Sequence, residues 1–244
     1  MKRPVWIGLL AAITFVIIVI ARMPAAWVIP TSRPQGSCAS IDGSLWSGSC
    51  AGLTVSGKSL GDVSWELHPL KLFVGRLAAH VTLAHGPAQG SGDLELGFGQ
   101  RITARNLSAN LPLDPRLMPG VPPTLHGQAH LDLALAEVQR GVITQLKGRI
   151  EAHDLEERSG ADTPLGSYAV TFPGGSGDPV GQLRDLDGPL ALEGTLRLTR
   201  QPGFELEGLI APRPGAPPEL VNNIRFLGSP DASGRRPFSL SGTF

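Results

Sequence analysis

Beyond residue 40 the chain places an apolar side chain at every second position far more often than at every third or fourth. Val63, Trp65 and Leu67 keep that spacing, as do Leu77, Ala79, Val81 and Leu83, then Leu94, Leu96 and Phe98, then Ala129, Leu131, Leu133 and Leu135. It continues through Tyr168, Val170 and Phe172, Leu196 and Leu198, Phe204 and Leu206, and ends at Phe238 and Leu240. A period of two lines up the apolar residues of a pleated strand on one side. The pattern therefore predicts an all-β domain, a mainly antiparallel sheet with one greasy and one wet face.

A shorter pattern, apolar-x-Gly-x-apolar, recurs at Ile41-Asp-Gly-Ser-Leu45, Leu125-His-Gly-Gln-Ala129, Leu146-Lys-Gly-Arg-Ile150, Leu186-Asp-Gly-Pro-Leu190 and Leu192-Glu-Gly-Thr-Leu196, with a looser copy over 206–210. Its spacing is irregular, which marks a repeated strand type rather than a fixed-period solenoid. Glycine inside a strand admits a bulge or a close backbone approach, so the sheet is expected to curve. One or two short helices are expected. Pro217 and Pro218 precede a run in which Leu220, Ile224 and Leu227 share a helical face and Gly228 suits the cap, and residues 113–118 between Pro112 and Pro119 make at most one turn. Residues 119–123, 162–164 and 174–178 read as loops, and 154–164 offers a place to divide two halves of one sheet.

The first segment follows a different rule. Residues 5–21, VWIGLLAAITFVIIVIA, carry no charge and are bracketed by Lys2 and Arg3 before and Arg22 after. As a helix the run rises about 25 Å, which with a snorkelling Arg22 nearly matches the roughly 30 Å hydrocarbon core. A cleaved signal peptide is the competing reading, but its apolar region is about 7–15 residues long and ends in small-x-small; Arg22-Met-Pro-Ala-Ala-Trp27 offers no such site. The expected order is a cytoplasmic N-terminus over 1–4, a membrane helix over 5–21, a stiff linker over 22–37 with Pro24, Pro30 and Pro34, and a periplasmic β domain over 38–244, with Trp27 at the interface.

Cysteine usage bears on the compartment. Cys38 and Cys50 flank Asp42-Gly43, which suits a hairpin, and in an oxidising periplasm they would pair, closing a loop worth about 3 kcal/mol in the chain-entropy model. The alternative is two free buried thiols in a cytosolic domain. Lysine plus arginine equals aspartate plus glutamate at 21 each, so no whole-molecule field attracts nucleic acid. Glycine (31) and proline (22) are plentiful without reaching the level of low complexity.

No set of residues assembles an active site, and no enzyme, cofactor or metal is expected. His126 and His130 are four apart but flank Gly127 in a strand-like stretch and lack the glutamate of a zinc protease. No phosphate loop, calcium loop or nucleophile elbow is present; Asp185 and Asp187 lack the other oxygen ligands. The final Phe-Ser-Leu-Ser-Gly-Thr-Phe resembles the last strand of an outer-membrane barrel. One tyrosine and a retained apolar segment instead favour the last strand of a sheet in a water-exposed domain.

With these residues in view, the chain resembles the type II secretion system protein N family. Ile41-Asp-Gly-Ser-Leu-Trp-Ser-Gly48 is similar to the family's early G-x-[ILV]-W-x-G stretch, and Gly61-Asp-Val-Ser-Trp-Glu-Leu-His-Pro-Leu-Lys-Leu-Phe-Val-Gly75 to its W-x-L-x-P segment that closes on leucines and glycine. A short helix, Phe226-Leu-Gly228, a polar turn at Asp231-Ala-Ser-Gly234 and a last strand to Phe244 complete the likeness. It departs from that pattern in the Cys38/Cys50 pair and in lacking a tryptophan within 165–172. The resemblance implies an accessory subunit of type II secretion in the cell inner membrane. It also implies partners among the inner-membrane assembly subunits and the outer-membrane secretin. Trp46 and Trp65 are expected as core or interface anchors. The rival reading is an AsmA-like anchored groove that binds or transfers lipid. A face closed by the Leu220 helix and a second sheet layer would favour a scaffold, whereas an open trough longer than an acyl chain would favour lipid.

Overall fold

The computed structural model describes residues 14–15, 18–19, 22–28, 32–33, 36–114, 121–159, 162–175, 177–201 and 203–243. The described residues form one sheet of fifteen strands. Short strands come first, β1 (Ser32–Arg33), β2 (Gly36–Ser37) and β3 (Ser40–Gly43), followed by β4 (Ser47–Val55), β5 (Lys58–Leu67), β6 (Leu77–Ala84), β7 (Gln89–Gly97) and β8 (Arg101–Pro112). The two longest are β9 (Leu125–Gln139) and β10 (Val142–Glu157); then come β11 (Thr163–Pro173), β12 (Val180–Asp187), β13 (Leu190–Thr199), β14 (Gly203–Pro212) and β15 (Arg236–Thr243). Order in space follows order in the chain, except that β3 also pairs with β4, beside β2. Every pairing is antiparallel. The fold is all-β, as the period of two predicts.

Register shows why one face is apolar throughout. Trp65 lies opposite Val81, Leu77 opposite Leu96, Leu96 opposite Ile102 and Ile102 opposite Val138. Farther on, Leu131 faces Ile150, Ile150 faces Val170, Val170 faces Leu183, and Leu196 faces Leu206, which faces Leu240. Residues directly opposite in a sheet point the same way, so these rows make one continuous apolar surface. The alternation slips within β9, where Leu133 meets Gly148 but Leu135 meets Lys147. That bulge hands the apolar face from Leu133 to Ala136, so Leu135, expected in line with Leu133, is out of step with it.

The sheet curls towards its apolar side. Phe172 of β11 and Leu198 of β13 belong to one buried cluster with Leu133 and Leu146, although β12 runs between them. Gly181 of β12 makes the closure feasible, because a Cβ there would stand 2.8 Å from Phe172 Cε1. The same device recurs where Trp65 lies over Gly48, Phe238 over Gly208 and Phe204 over Gly242. An aromatic ring laid across a cross-strand glycine lets the concave side close without clashes. The apolar-x-Gly-x-apolar repeat thus supplies, at Gly148, Gly194 and Gly208, positions on the apolar face where strands approach closely. Gly188, by contrast, lies in the turn between β12 and β13.

The C-terminal helix, Pro218–Ile224, buries Leu220 and Ile224 against Leu190 and Ile210. It ends at Arg225 rather than at Gly228, with Phe226 and Leu227 in a tightened turn bonded to the Asn223 and Ile224 carbonyls. The single turn expected at 113–118 and the membrane helix expected at 5–21 lie mostly outside the described residues. Of the latter, Thr14, Phe15, Ile18 and Val19 are helical. Among the described residues no helix is long and apolar enough to cross a membrane. Segment 22–37, expected as linker, instead contributes a 3-10 turn at Ala25–Trp27 and strands β1 and β2. Within 154–164, where a division of the sheet was expected, Glu156 pairs with Pro164 and Glu157 with Thr163, so β10 and β11 stay joined there.

Candidate functional site

The apolar face divides into a closed half and an open half. Over β9–β14 it holds the buried cluster around Leu133, Leu146, Phe172 and Leu198, and the helix covers its end. Over β5–β8 its side chains, Ala104 apart, are half-buried or exposed: Leu94 is 37 % exposed and Ile102 43 %. A hollow of about 140 Å³ there is lined by Val81, Leu83, Gly90, Gly92, Leu94, Leu107 and Ala109. Gly90 and Gly92 stand between apolar neighbours on this face, which makes the hollow. Neighbouring strands lie about 4.8 Å apart, so the open stretch is roughly 15–20 Å wide, comparable to one leaflet of the hydrocarbon core. No second sheet layer covers it among the described residues.

The two lateral edges of the sheet differ. At the first, β1 and β2 have two residues each, and so short a strand offers little backbone to pair with. At the last, β15 is eight residues long and, among the described residues, pairs only with β14. After Arg236 it carries no charge, reading Pro-Phe-Ser-Leu-Ser-Gly-Thr. Leu240 is 57 % exposed. Edge strands usually carry lysine, a bulge or a covering loop to prevent pairing with other chains; β15 has only Pro237 near its start. Its lead-in is rigid: Asp231 accepts from the Ser233 hydroxyl and amide and from Arg235, which holds its carboxyl down at about 2.

The polar face carries charge pairs, some within one strand and some between neighbours. Glu151 accepts from His153 (2.7 Å) and Arg149 (2.5 Å), and the His153 hydrogen bond leads the causes that hold its carboxyl below the usual value. Asp93 is held down chiefly by its hydrogen bonds to His80 and Asn106, and Glu95 by Lys71 with Arg76. A groove of about 420 Å³ between β10 and β12 is lined by Arg149, Thr171, Gln182, Arg184 and Asp185. Asp185 there pairs with Arg213 and accepts from the Leu192 amide.

The remaining singled-out residues fall as follows. Cys38 and Cys50 are joined, with Cα atoms 5.6 Å apart, tying the start of β3 to β4. Trp65 is half-buried over Gly48 and donates from Nε1 to the Leu45 carbonyl at 3.1 Å. Trp46 is half-buried beside it in the β3–β4 hairpin, its carbonyl accepting from Leu67. His126 and His130 do not converge: His126 Nδ1 lies against the Thr124 carbonyl and His130 Nδ1 is 2.7 Å from Asn110 Oδ1. Among the described residues no three His, Cys, Asp or Glu cluster as metal ligands. Sequence reasoning missed an exposed apolar lip, Leu70, Phe73, Val74 and Phe98, at one end of the sheet; the only signal for it was the loss of alternation in Pro69-Leu-Lys-Leu-Phe-Val74.

The described residues thus define an all-β protein of one antiparallel meander, with an apolar hollow on one side and β15 along one edge. The chain belongs to the family described as Type II secretion system (T2SS), protein N, whose pattern matches residues 34–239. It is 27% identical over 263 residues to the type II secretion system protein N of Aeromonas hydrophila, covering 99% of both chains. Its identity to that of Vibrio cholerae serotype O1 is 28% over 255 residues, again across 99% of each. No solved structure matches the chain.

Proposed function

We propose that this chain is a non-enzymatic accessory subunit of type II secretion, held in the inner membrane by residues 5–21 with its sheet in the periplasm. There it supports protein export through contacts with inner-membrane assembly subunits and the outer-membrane secretin. The family membership supports the pathway, and the unguarded β15 edge carries the contact, since a free strand of low charge accepts a partner strand by backbone hydrogen bonds. Trp46 and Trp65 act in this reading as anchors that hold the β3–β4 hairpin to the sheet. Photo-crosslinkers at Ser239 and Ser241 in secreting cells should capture secretion subunits identified by antibody, and Ser241→Lys should abolish capture and lower secretion without changing the circular dichroism. Equal capture from Ser49, on the polar face of β4, would sink the proposal.

A second reading is favoured by one observation, the open apolar stretch over β5–β8 with no layer above it. A single acyl chain fits that width, as in a lipid-binding groove. Mass spectrometry of protein extracted in mild detergent should then find bound lipid that Val81→Glu and Leu94→Glu remove. Equal lipid in wild type and variants would dismiss it.

A further inference from the structure

Four large apolar side chains that stand exposed are gathered at one end of the sheet. Leu70 is 78 % exposed, Phe73 88 %, Val74 68 % and Phe98 82 %. Phe73 and Val74 sit in the 3-10 turn Pro69–Val74 between β5 and β6, and Phe98 in the β7–β8 turn. The two turns form one lip, because the Phe98 ring lies directly against Gly75 with no room for a Cβ there. The lip continues into the open apolar face through the cross-strand row Leu77, Leu96 and Ile102. Four cations surround it, Lys71, Arg76, Arg101 and Arg140; the two carboxylates among them, Glu95 and Glu137, are paired with these cations.

The chain leaves its apolar segment at this same end. Arg22 still donates its amide to the Ile18 carbonyl, the Met23 carbonyl accepts from the Leu45 amide at 2.9 Å, and Pro24 bridges to Ser44. One strand over, the Trp46 carbonyl accepts from Leu67, and two residues later the exposed turn begins. At about 4.8 Å per strand, the lip stands roughly 10–15 Å from the exit of residue 22. A large apolar patch needs an occupant, and a bilayer holding 5–21 is within that reach.

We infer that the lip, Leu70, Phe73, Val74 and Phe98, is a second membrane contact that dips into the headgroup region of the same bilayer, with the surrounding Lys71, Arg76, Arg101 and Arg140 facing anionic phosphates. The geometry is that of an interfacial anchor, apolar side chains set about 5–10 Å into the boundary with cations around them. It fixes the tilt of the sheet relative to the membrane, where a single helix would leave it free to swivel. The inference rests on the anchored reading above.

The test uses the full chain in vesicles of phosphatidylethanolamine and phosphatidylglycerol. An environment-sensitive fluorophore is placed at Phe73→Cys, at Phe98→Cys or, as a control at the opposite end of the sheet, at Ser56→Cys, and lipids brominated high in the acyl chain serve as quenchers. Flotation of the vesicles reports the anchor and quenching reports the lip. Protein that floats, with labels at 73 and 98 quenched several-fold more than the label at 56, is the expected result. Protein that floats with all three labels equally unquenched overturns the lip while leaving the anchor standing. Protein that does not float overturns both.

Discussion

At the residue scale, the sharpest consequences concern Tyr168 and the glycines beneath aromatic rings. Tyr168 is the one tyrosine in the chain. Its hydroxyl donates to the Leu165 carbonyl at 2.6 Å, and burial, reinforced by nearby Asp185, pushes its pKa up to about 12 from 10.0. A folded-state pKa above the unfolded one means that the associated stability is intact below pH 10 and is lost as pH climbs towards 12. Absorbance at 295 nm should therefore show a single phenolic transition near 12 in the native protein and near 10 in urea. Tyr168→Phe should erase it at a cost of about 1 kcal/mol. Phe172, 2 % exposed, and Gly181 beneath it should both resist change. Phe172→Ala is expected to cost about 3–5 kcal/mol, and Gly181→Val about 1–3 kcal/mol by overpacking, read from urea midpoints. Replacing Cys38 and Cys50 with serine should cost about 3 kcal/mol, and labelling of the untreated protein should find no thiol.

At the scale of elements, the strands were legible because the period of two survives wherever one face of the sheet is apolar and the other polar. Val63 to Leu67, Leu77 to Leu83, and Leu196 with Leu198 all lie in strands on the expected side, whereas Phe98, expected in line with Leu94 and Leu96, falls in the β7–β8 turn. The bulge at Leu133/Leu135 was not legible, since a slip of register is decided by the partner strand. Nor were β1 and β2, because two residues carry no periodicity. The helix over 218–224 was visible from Leu220 and Ile224, but its end was not: the terminal turn tightens to satisfy carbonyls instead of using Gly228. Of the candidate site, β15 could be read as a last strand, whereas its lack of a second neighbour is a property of topology. The lip escaped notice because exposure depends on what the sheet leaves uncovered. The helix also yields a test. Leu220→Ala should open the cover over Leu190 and Ile210, so that hydrogen exchange quickens in β13 and β14 while β5–β8 are unaffected.

At the scale of the whole molecule, acid should loosen the sheet from its polar side. Asp93, Glu95 and Glu151 are each held below their ordinary values, first of all by hydrogen bonds from His80, Lys71 and His153. A depressed carboxylate contributes stability above its unfolded pKa and loses it as pH falls through the folded one. The urea midpoint should accordingly hold steady down to about pH 4.5 and drop below it. Glu151→Gln should flatten that drop. A midpoint insensitive to pH between 5 and 2 would show that these pairs contribute nothing to folding.

Because each strand from β4 onward pairs with its immediate successor, no contact in the ladder waits for a distant part of the chain. A polypeptide delivered amino end first can finish each hairpin on the one already made, so assembly is vectorial and loop-closure costs stay small for a molecule made almost wholly of strands. Of the described strands, β15 is the last to arrive. A nascent or partly trimmed chain would therefore present β14 as its growing front, a vacant seat that only the carboxyl end, or a strand from another molecule, can take.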